Sequence, residues 1–263
     1  MFDQARQLAQ HDQGWTAVAT ADWYQGRGAY GGLQGAWLLD ALRRHPAAQQ
    51  KAIRTLSIQC CAPVVAGPVR AEVTLERAGA SVAYLSARLL QGDLVAATAL
   101  ATFGAPRAHA PEFARPVAPR VPTPDALVTM PGGPMFPAFT QHVEYRYALG
   151  SPPVSASARA HLGGWARFRG GATVDEIMLM ALSDVWPPAI LSTFDRMRPL
   201  ATMDWTTSFL HPLDLGAYPP DAWWLYEVEG GAATDGYALQ TGRVFTPDGR
   251  CVIEARQTVA VLG

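Results

Sequence analysis

The chain carries the same order of sequence patterns on both sides of a stretch rich in proline. This stretch runs from Pro106 to Pro137, and proline at that density interrupts helices and central strands. A length of 263 residues suits either one large domain or two small ones. We therefore predict an N-terminal domain over 1–105, a linker over 106–137 and a C-terminal domain over 138–263.

In the first half, Gly31-Gly32 opens a segment whose apolar residues recur at helical spacing. The spacing predicts a helix over Leu33 to Arg43. Turn signals rich in glycine and proline then separate strand-like runs. The predicted strands are Arg54 to Cys61, Val69 to Arg77, Val82 to Gln91 and Leu94 to Phe103.

The second half repeats this order. Apolar spacing predicts a helix over Val174 to Val185, ended by Pro187-Pro188. Aligning the halves sets Asp184 of this helix against Asp40 of the first. The predicted strands that follow are Thr202 to Leu210, Trp223 to Glu229, Gly236 to Phe245 and Cys251 to Val261.

These patterns predict an α+β fold. Short turns separate the strands of each half and no helix intervenes, which favours antiparallel pairing. One helix and one sheet bury their apolar faces most simply when the sheet wraps around the helix. We expect two tandem antiparallel sheets, each wrapped around a central helix and joined into one continuous layer.

Composition excludes several classes of function. A formal net charge of -1 gives no general attraction for nucleic acid or an anionic membrane. The most apolar stretch, Ile177 to Leu191, contains Asp184 and two prolines, so we expect no membrane span. The first six residues lack the basic-then-apolar order of a signal peptide. We expect a cytoplasmic protein.

Histidine and cysteine spacing predicts no metal site. The six histidines never fall at ligand spacing in the sequence. Cys60 and Cys61 are adjacent and Cys251 is remote, which matches neither a disulfide framework nor a zinc knuckle. We interpret these cysteines as small strand hydrophobes.

Asp184, Thr202 and Gln257 are the candidate catalytic residues. A carboxylate on an apolar helix face is removed from water, and burial moves its pKa toward that of a general base. A strand hydroxyl and a strand amide could orient a water molecule beside it. The alternative is an ordinary capping aspartate with two ordinary strand side chains.

Gly31-Gly32 is a candidate substrate-binding element, because backbone N–H groups at a helix N-terminus can bind an oxyanion. A simple turn into the helix is the alternative. The overlapping run Gly26 to Gly31 matches G-x-G-x-x-G. A dinucleotide site would also need a parallel strand ending in an acid, and the run from Arg54 ends in Gln59-Cys60-Cys61.

Five short motifs resemble type II acyl-CoA thioesterases, which are double-hotdog proteins with a sheet wrapped around each of two helices. They are Tyr30-Gly31-Gly32, Glu76 to Ser81, Ala181 to Asp184, Ala201 to Asp204 and Ile253 to Gln257. The resemblance implies hydrolysis of an acyl-CoA to free acid and CoA, within fatty acid metabolism and without a cofactor or metal.

The same resemblance implies roles for individual residues. Asp184, Thr202 and Gln257 would activate the water, and Gly32 would meet the developing oxyanion. Asp40 departs from the family pattern by placing a second acid in the other half, and we take it as a candidate substrate-binding residue. Exposed edges of paired hotdog sheets favour a homodimer.

Two other functions stay open. A hotdog dehydratase or hydratase would pair a histidine with an acid on the helix, and no histidine lies near Asp184 or Asp40 in the sequence. A non-catalytic protein could bind acyl-CoA in the same place for sensing or transport. Binding without product formation would identify the second of these.

Overall fold

The computed structural model describes residues 1–107, 113 and 115–262. The predicted linker includes residues 108–112 and 114, which lie outside the described residues, as does residue 263. The α-helices are α1 (Phe2–Ala5), α2 (Gly31–Arg44) and α3 (Glu176–Leu182).

The strands fall into two groups along the chain. Those before the proline-rich stretch are β1 (Ala9–His11), β2 (Gly14–Ala19), β3 (Tyr24–Gln25), β4 (Gly28–Ala29), β5 (Ala52–Cys60), β6 (Gly67–Ala78), β7 (Val82–Gln91) and β8 (Leu94–Gly104). Those after it are β9 (Val143–Gly150), β10 (His161–Phe168), β11 (Leu200–Phe209), β12 (Trp224–Thr234), β13 (Tyr237–Phe245) and β14 (Cys251–Val261).

Twelve of these strands form one antiparallel sheet, in the order β1-β2-β6-β7-β8-β5-β11-β14-β13-β12-β10-β9. The two halves of this order are symmetric: each strand of the first half has a counterpart in the second half at the same distance from the opposite edge, as β6 and β12 do. The halves join where β5 pairs with β11, and there Thr206 Oγ1 donates to Ser57 Oγ over 3.0 Å. The predicted α+β class and the continuous sheet are confirmed.

The strands that precede each helix were not predicted. β1-β2 comes before α2 and β9-β10 comes before α3, so the repeated unit is longer than the sequence patterns indicate. In β10 the run from Leu162 to Ala166 is buried throughout, which removes the alternation of apolar and polar residues on which a strand prediction rests. β1 has three residues, all exposed.

Helix α2 follows its prediction and packs against α3 at very short range. A Cβ atom at Gly32 would lie 2.5 Å from the carbonyl oxygen of Ala181, and one at Gly35 would lie 2.9 Å from Cε of Met180. Glycine at these positions allows the two helices to approach each other closely.

The prediction that Asp184 lies within a helix was wrong. Helix α3 ends at Leu182, and Asp184 lies in the turn that follows. There the N–H of Asp184 donates to the carbonyl oxygen of Ala181 over 3.2 Å. Pro187 disfavours helical backbone at the residue before it and Pro188 lacks an N–H group, so the helix cannot continue.

The apolar core lies between the sheet and the helices. The largest fully buried side chains include Trp37 of α2, Trp205 of β11 and Phe103 of β8. Across the residues described, no helix combines the length and the hydropathy that a bilayer crossing requires.

Candidate active site

Asp184 is held by contacts from both halves of the chain. The hydroxyl of Tyr30, at the start of α2, donates to the carbonyl oxygen of Ala181 over 3.2 Å. The hydroxyl of Tyr145, on β9, donates to the carbonyl oxygen of Val185 over 3.0 Å. These bonds fix the backbone on each side of Asp184, so the carboxylate has a defined position.

The carboxylate of Asp184 faces Gln257 and the N-terminus of α2. Nε2 of Gln257, on β14, donates to Oδ1 of Asp184 over 2.8 Å. A Cβ atom at Gly31 would lie 2.7 Å from Oδ2 of Asp184, so a side chain there would displace the carboxylate. The backbone N–H of Gly32 also faces this carboxylate. The structure thus brings four of the six predicted site residues together.

Burial raises the pKa of Asp184 from 3.8 to about 7, because removal from water disfavours the charged form. The hydrogen bond from Gln257 and the backbone N–H of Gly32 act in the opposite direction and lower the pKa. Together these effects leave a carboxyl group that exchanges a proton near neutral pH, which is the range in which a general base works best.

The titratable groups around Asp184 stay neutral at that pH. They are Tyr30, Cys60, Tyr145 and Tyr226, each from a different element of the fold. Burial raises the pKa of each, with a further contribution from Asp184, and the pKa of Cys60 reaches about 12. Cys60 is therefore a thiol near neutral pH and not a nucleophilic thiolate.

A β-bulge decides where Thr202 lies. Thr202 pairs with Val259 and Trp205 pairs with Gln257, and the register shifts between Thr202 and Asp204. Residues opposite each other share a face, as do residues two apart in one strand. Thr202 is thus on the same face of the sheet as Gln257. Among the described residues, no hydrogen bond links Thr202 to Asp184 or Gln257.

The structure does not bring Asp40 to the site. Asp40 pairs with Arg44 of its own helix, with Oδ2 and Nη2 2.9 Å apart. It lies nine residues along α2 from Gly31, which corresponds to roughly 13 Å at the rise of an α-helix. Of the two acids that the sequence alignment sets against each other, Asp184 is the one beside Gln257.

Sequence reasoning missed Gln240, which is buried beside Gln257. Gln240 and Gln257 are direct cross-strand partners on β13 and β14, with only 7% and 6% of their surfaces exposed. Nε2 of Gln240 donates to Oε1 of Gln257. The signal in the sequence is the period of two in β13, which sets Gln240 on the face of Ala238 and Val244.

Among the described residues, the tertiary structure also brings together one group of side chains of the types that can ligate a metal, which sequence spacing does not reveal. Ligating atoms of His161, Glu227 and Glu229 lie within 4.8 Å of one another on β10 and β12. These side chains already have partners: His161 contacts Glu227 at 3.2 Å, and Arg159 contacts Glu229 at 3.4 Å. We assign the group to cross-strand pairing.

The glycine-rich run before α2 is explained by packing. A Cβ atom at Gly28 would lie 2.8 Å from backbone atoms of Val64. The strand that follows α2 is β5, and both of its partners pair with it in the antiparallel sense. The topology that a dinucleotide fingerprint requires is not the topology around this run.

Two family models match the sequence. Residues 19–104 match the acyl-CoA thioesterase N-terminal domain, and residues 111–261 match the acyl-CoA thioesterase C-terminal domain. A search of curated proteins found no match.

The chain aligns with solved structures of the same fold over almost the whole length of both proteins. A conserved hot dog fold protein of unknown function from Alicyclobacillus acidocaldarius has a TM-score of 0.89 and 24% identity, covering 100% of this chain and 98% of the other. The tesB protein of Mycobacterium avium subspecies paratuberculosis has a TM-score of 0.81 and 18% identity, with coverage of 100% and 98%.

Acyl-CoA thioesterase II TesB2 of Mycobacterium marinum has a TM-score of 0.76 and 19% identity, again with coverage of 100% and 98%. At these identities the likeness establishes the fold alone. The predicted double hotdog is confirmed.

Proposed function

This chain belongs to the acyl-CoA thioesterase family, and from that premise we propose that it hydrolyses an acyl-CoA thioester to a free acid and CoA. The observation that carries the proposal is the buried carboxyl group of Asp184, whose pKa is raised to about 7 and whose Oδ1 accepts a hydrogen bond from Gln257. A base of this kind can take a proton from water near neutral pH.

In the proposed reaction, Asp184 accepts a proton from a water molecule while the water oxygen attacks the thioester carbonyl carbon. The tetrahedral intermediate then collapses, the carbon–sulfur bond breaks, and the CoA sulfur receives the proton that Asp184 holds. Gln257 and Thr202 orient the water, since both side chains lie on the face of the sheet that Asp184 meets.

The N-terminus of α2 suits the developing oxyanion. The first N–H groups of a helix have no partner within the helix. Here the N–H groups of Leu33 and Gln34 donate to the carbonyl oxygen of Tyr30, and those of Gly31 and Gly32 precede them beside Asp184. Backbone donors at a helix N-terminus stabilise negative charge on oxygen.

Hydrolysis measured on purified protein tests the proposal. CoA release from thioesters of short, medium and long acyl chains would be followed with a thiol reagent. Asp184→Asn should lower kcat by about 10²- to 10⁴-fold, the usual contribution of a general base. Asp40→Asn should keep most of the activity, because Asp40 is paired with Arg44 away from the site.

Two outcomes would contradict the proposal. If no thioester in the panel is hydrolysed while calorimetry shows acyl-CoA binding, the protein is a non-catalytic acyl-CoA-binding protein. If Asp184→Asn turns over at nearly the normal rate, Asp184 is not the base.

We further propose a cytoplasmic homodimer of chains, each with domains at 1–105 and 138–263 joined by residues 106–137. The terminal strands β1 and β9 leave two sheet edges for association. Analytical ultracentrifugation would test the dimer, and limited proteolysis with cleavage in the proline-rich stretch would test the domain division.

A further inference from the structure

A chain of hydrogen bonds runs from the backbone of Ala189 to the carboxylate of Asp184. The N–H of Ala189 donates to Oε1 of Gln240 over 2.8 Å. Nε2 of Gln240 then donates to Oε1 of Gln257, and Nε2 of Gln257 donates to Oδ1 of Asp184 over 2.8 Å. Each member of the chain donates toward the acid.

The direction of this chain depends on Ala189. A side-chain amide can present either its oxygen or its NH2 group to a neighbour, so two glutamines alone would fit in either sense. A backbone N–H can only donate. Because Oε1 of Gln240 accepts from Ala189, its NH2 group faces Gln257, and Gln257 must in turn present its own NH2 group to Asp184.

The position of Ala189 at the start of a helix explains why its N–H can donate to Gln240. Ala189 begins a short 3₁₀ helix that follows Pro188, and the first N–H groups of a helix have no partner within it. Asp184 and Ala189 lie close together in the sequence. The hydrogen bonds therefore start and end in the same segment and pass through β13 and β14 between these two residues.

We propose that Gln240 is a positioning residue, which holds the amide of Gln257 with its NH2 group toward Asp184. This inference rests on the proposed function, in which Asp184 must be an ionised base. Gln240 acts only through Gln257, and no part of the argument requires it to touch the substrate. Burial makes the arrangement stable, because a buried amide left without partners is costly.

Gln240→Glu tests the direction of the chain. When ionised, the carboxyl group that this substitution introduces can accept from Ala189 but has no hydrogen to donate to Gln257. The amide of Gln257 should then turn its NH2 group toward position 240 and its Oε1 toward Asp184. Two acceptors would face each other, and the charged form of Asp184 would lose its donor. The nearby groups Tyr30, Cys60, Tyr145 and Tyr226 are neutral near pH 7 and supply no compensating charge.

The expected result is an upward shift of the pH–rate profile of kcat by about one pH unit or more, which is about a tenfold loss below the midpoint. Activity should recover at high pH, and KM should stay close to that of the unchanged protein. Recovery at high pH distinguishes a raised pKa of Asp184 from a damaged fold, because a damaged fold would lose activity at every pH.

Leu239→Glu is the matched control. Leu239 is the neighbour of Gln240 on β13 and is 52% exposed, so its side chain points to the opposite face. This variant adds the same charge to the same strand without touching the chain of bonds. The pH–rate profile of kcat for Leu239→Glu should match that of the unchanged protein.

A second measurement does not depend on turnover. Titration of the Asp184 carboxyl carbon by carbon-13 NMR, assigned by comparison with Asp184→Asn, should show the same upward shift in Gln240→Glu. Gln240→Met, which removes the donor without adding charge, should shift the titration in the same direction and serves if Gln240→Glu does not fold.

An unchanged Asp184 titration in both Gln240 variants would overturn the inference, as would a loss of activity that is equal at every pH. A shifted titration in a protein that hydrolyses no thioester would support the positioning role of Gln240 and refute the proposed function. Failure of the positioning role of Gln240 and failure of the proposed function therefore give different results.

Discussion

Nε2 of Gln257 lies 2.8 Å from Oδ1 of Asp184, although the two residues are 73 positions apart in the sequence. Asp184 follows helix α3 and Gln257 lies in the last strand, while Gly31 approaches the same carboxylate from the first half of the chain. The candidate site is therefore built where the halves of the repeat meet.

The rate of hydrolysis should follow the ionisation of Asp184. Because the pKa of this group is raised to about 7 and only the ionised form can accept a proton, kcat/KM should rise about tenfold per pH unit below pH 7 and level off above it. Initial rates between pH 5 and 9 would measure this. A midpoint near 4 would show that the base is an ordinary exposed carboxyl group.

The free energy of unfolding should fall as Asp184 ionises, whereas the rate of hydrolysis should rise. The pKa rises from 3.8 to about 7 on folding, so the folded state binds this proton more tightly than the unfolded state. The resulting stabilisation is complete below about pH 4 and is lost as the pH rises through 7.

Asp184→Asn removes the ionisable group, so the variant should be more stable than the unchanged protein by roughly 2–4 kcal/mol at pH 8 and nearly equal to it at pH 4. Urea denaturation at several pH values would measure the free energy of unfolding. A difference that does not change with pH would contradict the raised pKa.

Gly31→Ala should impair activity without weakening the helix. The added Cβ would lie 2.7 Å from Oδ2 of Asp184, so the carboxylate must move, and a misplaced catalytic group costs up to about 10² in rate. Alanine is a better helix former than glycine, so the melting temperature should not fall through loss of helix propensity.

Gly216→Ala is the control for this substitution, since a Cβ atom there would meet nothing within 4 Å. It should leave kcat unchanged. Equal activity in the two alanine variants would mean that close approach at Gly31 is not required.

Thr202→Val should lower kcat and leave KM nearly unchanged. The substitution keeps the shape of the side chain and removes the hydroxyl that we propose orients the water, a loss of about 1 kcal/mol or roughly fivefold in rate. Thr206→Val is the comparison on the same strand. Thr206 is exposed and bonds to Ser57, so its loss should not affect turnover; an equal effect of both variants would remove Thr202 from the mechanism.

Sequence patterns were sufficient for elements with a regular period. The bounds of β7 and β14 agree with their predictions, and α2 differs from its prediction by a few residues. In β7 buried residues alternate with more exposed ones over most of the strand, so the sequence itself records which side is inside. In β10, the run from Leu162 to Ala166 is buried throughout and leaves no period to read. The end of α3 was misplaced because apolar spacing continues past Leu182, although the N–H groups of Asp184 and Val185 bond to carbonyl oxygens three residues back and not four.

The amino-acid sequence by itself determined the repeated α+β architecture and offered Asp184, Thr202 and Gln257 as candidate residues. Only the tertiary structure decided that Asp184 and not Asp40 meets Gln257, that a bulge sets Thr202 on the same face, and that Gln240 directs the amide of Gln257. The physical reason is that cross-strand register and hydrogen-bond direction arise between segments far apart in the chain. Local periodicity shows which face a side chain lies on, but it does not show which residue lies opposite.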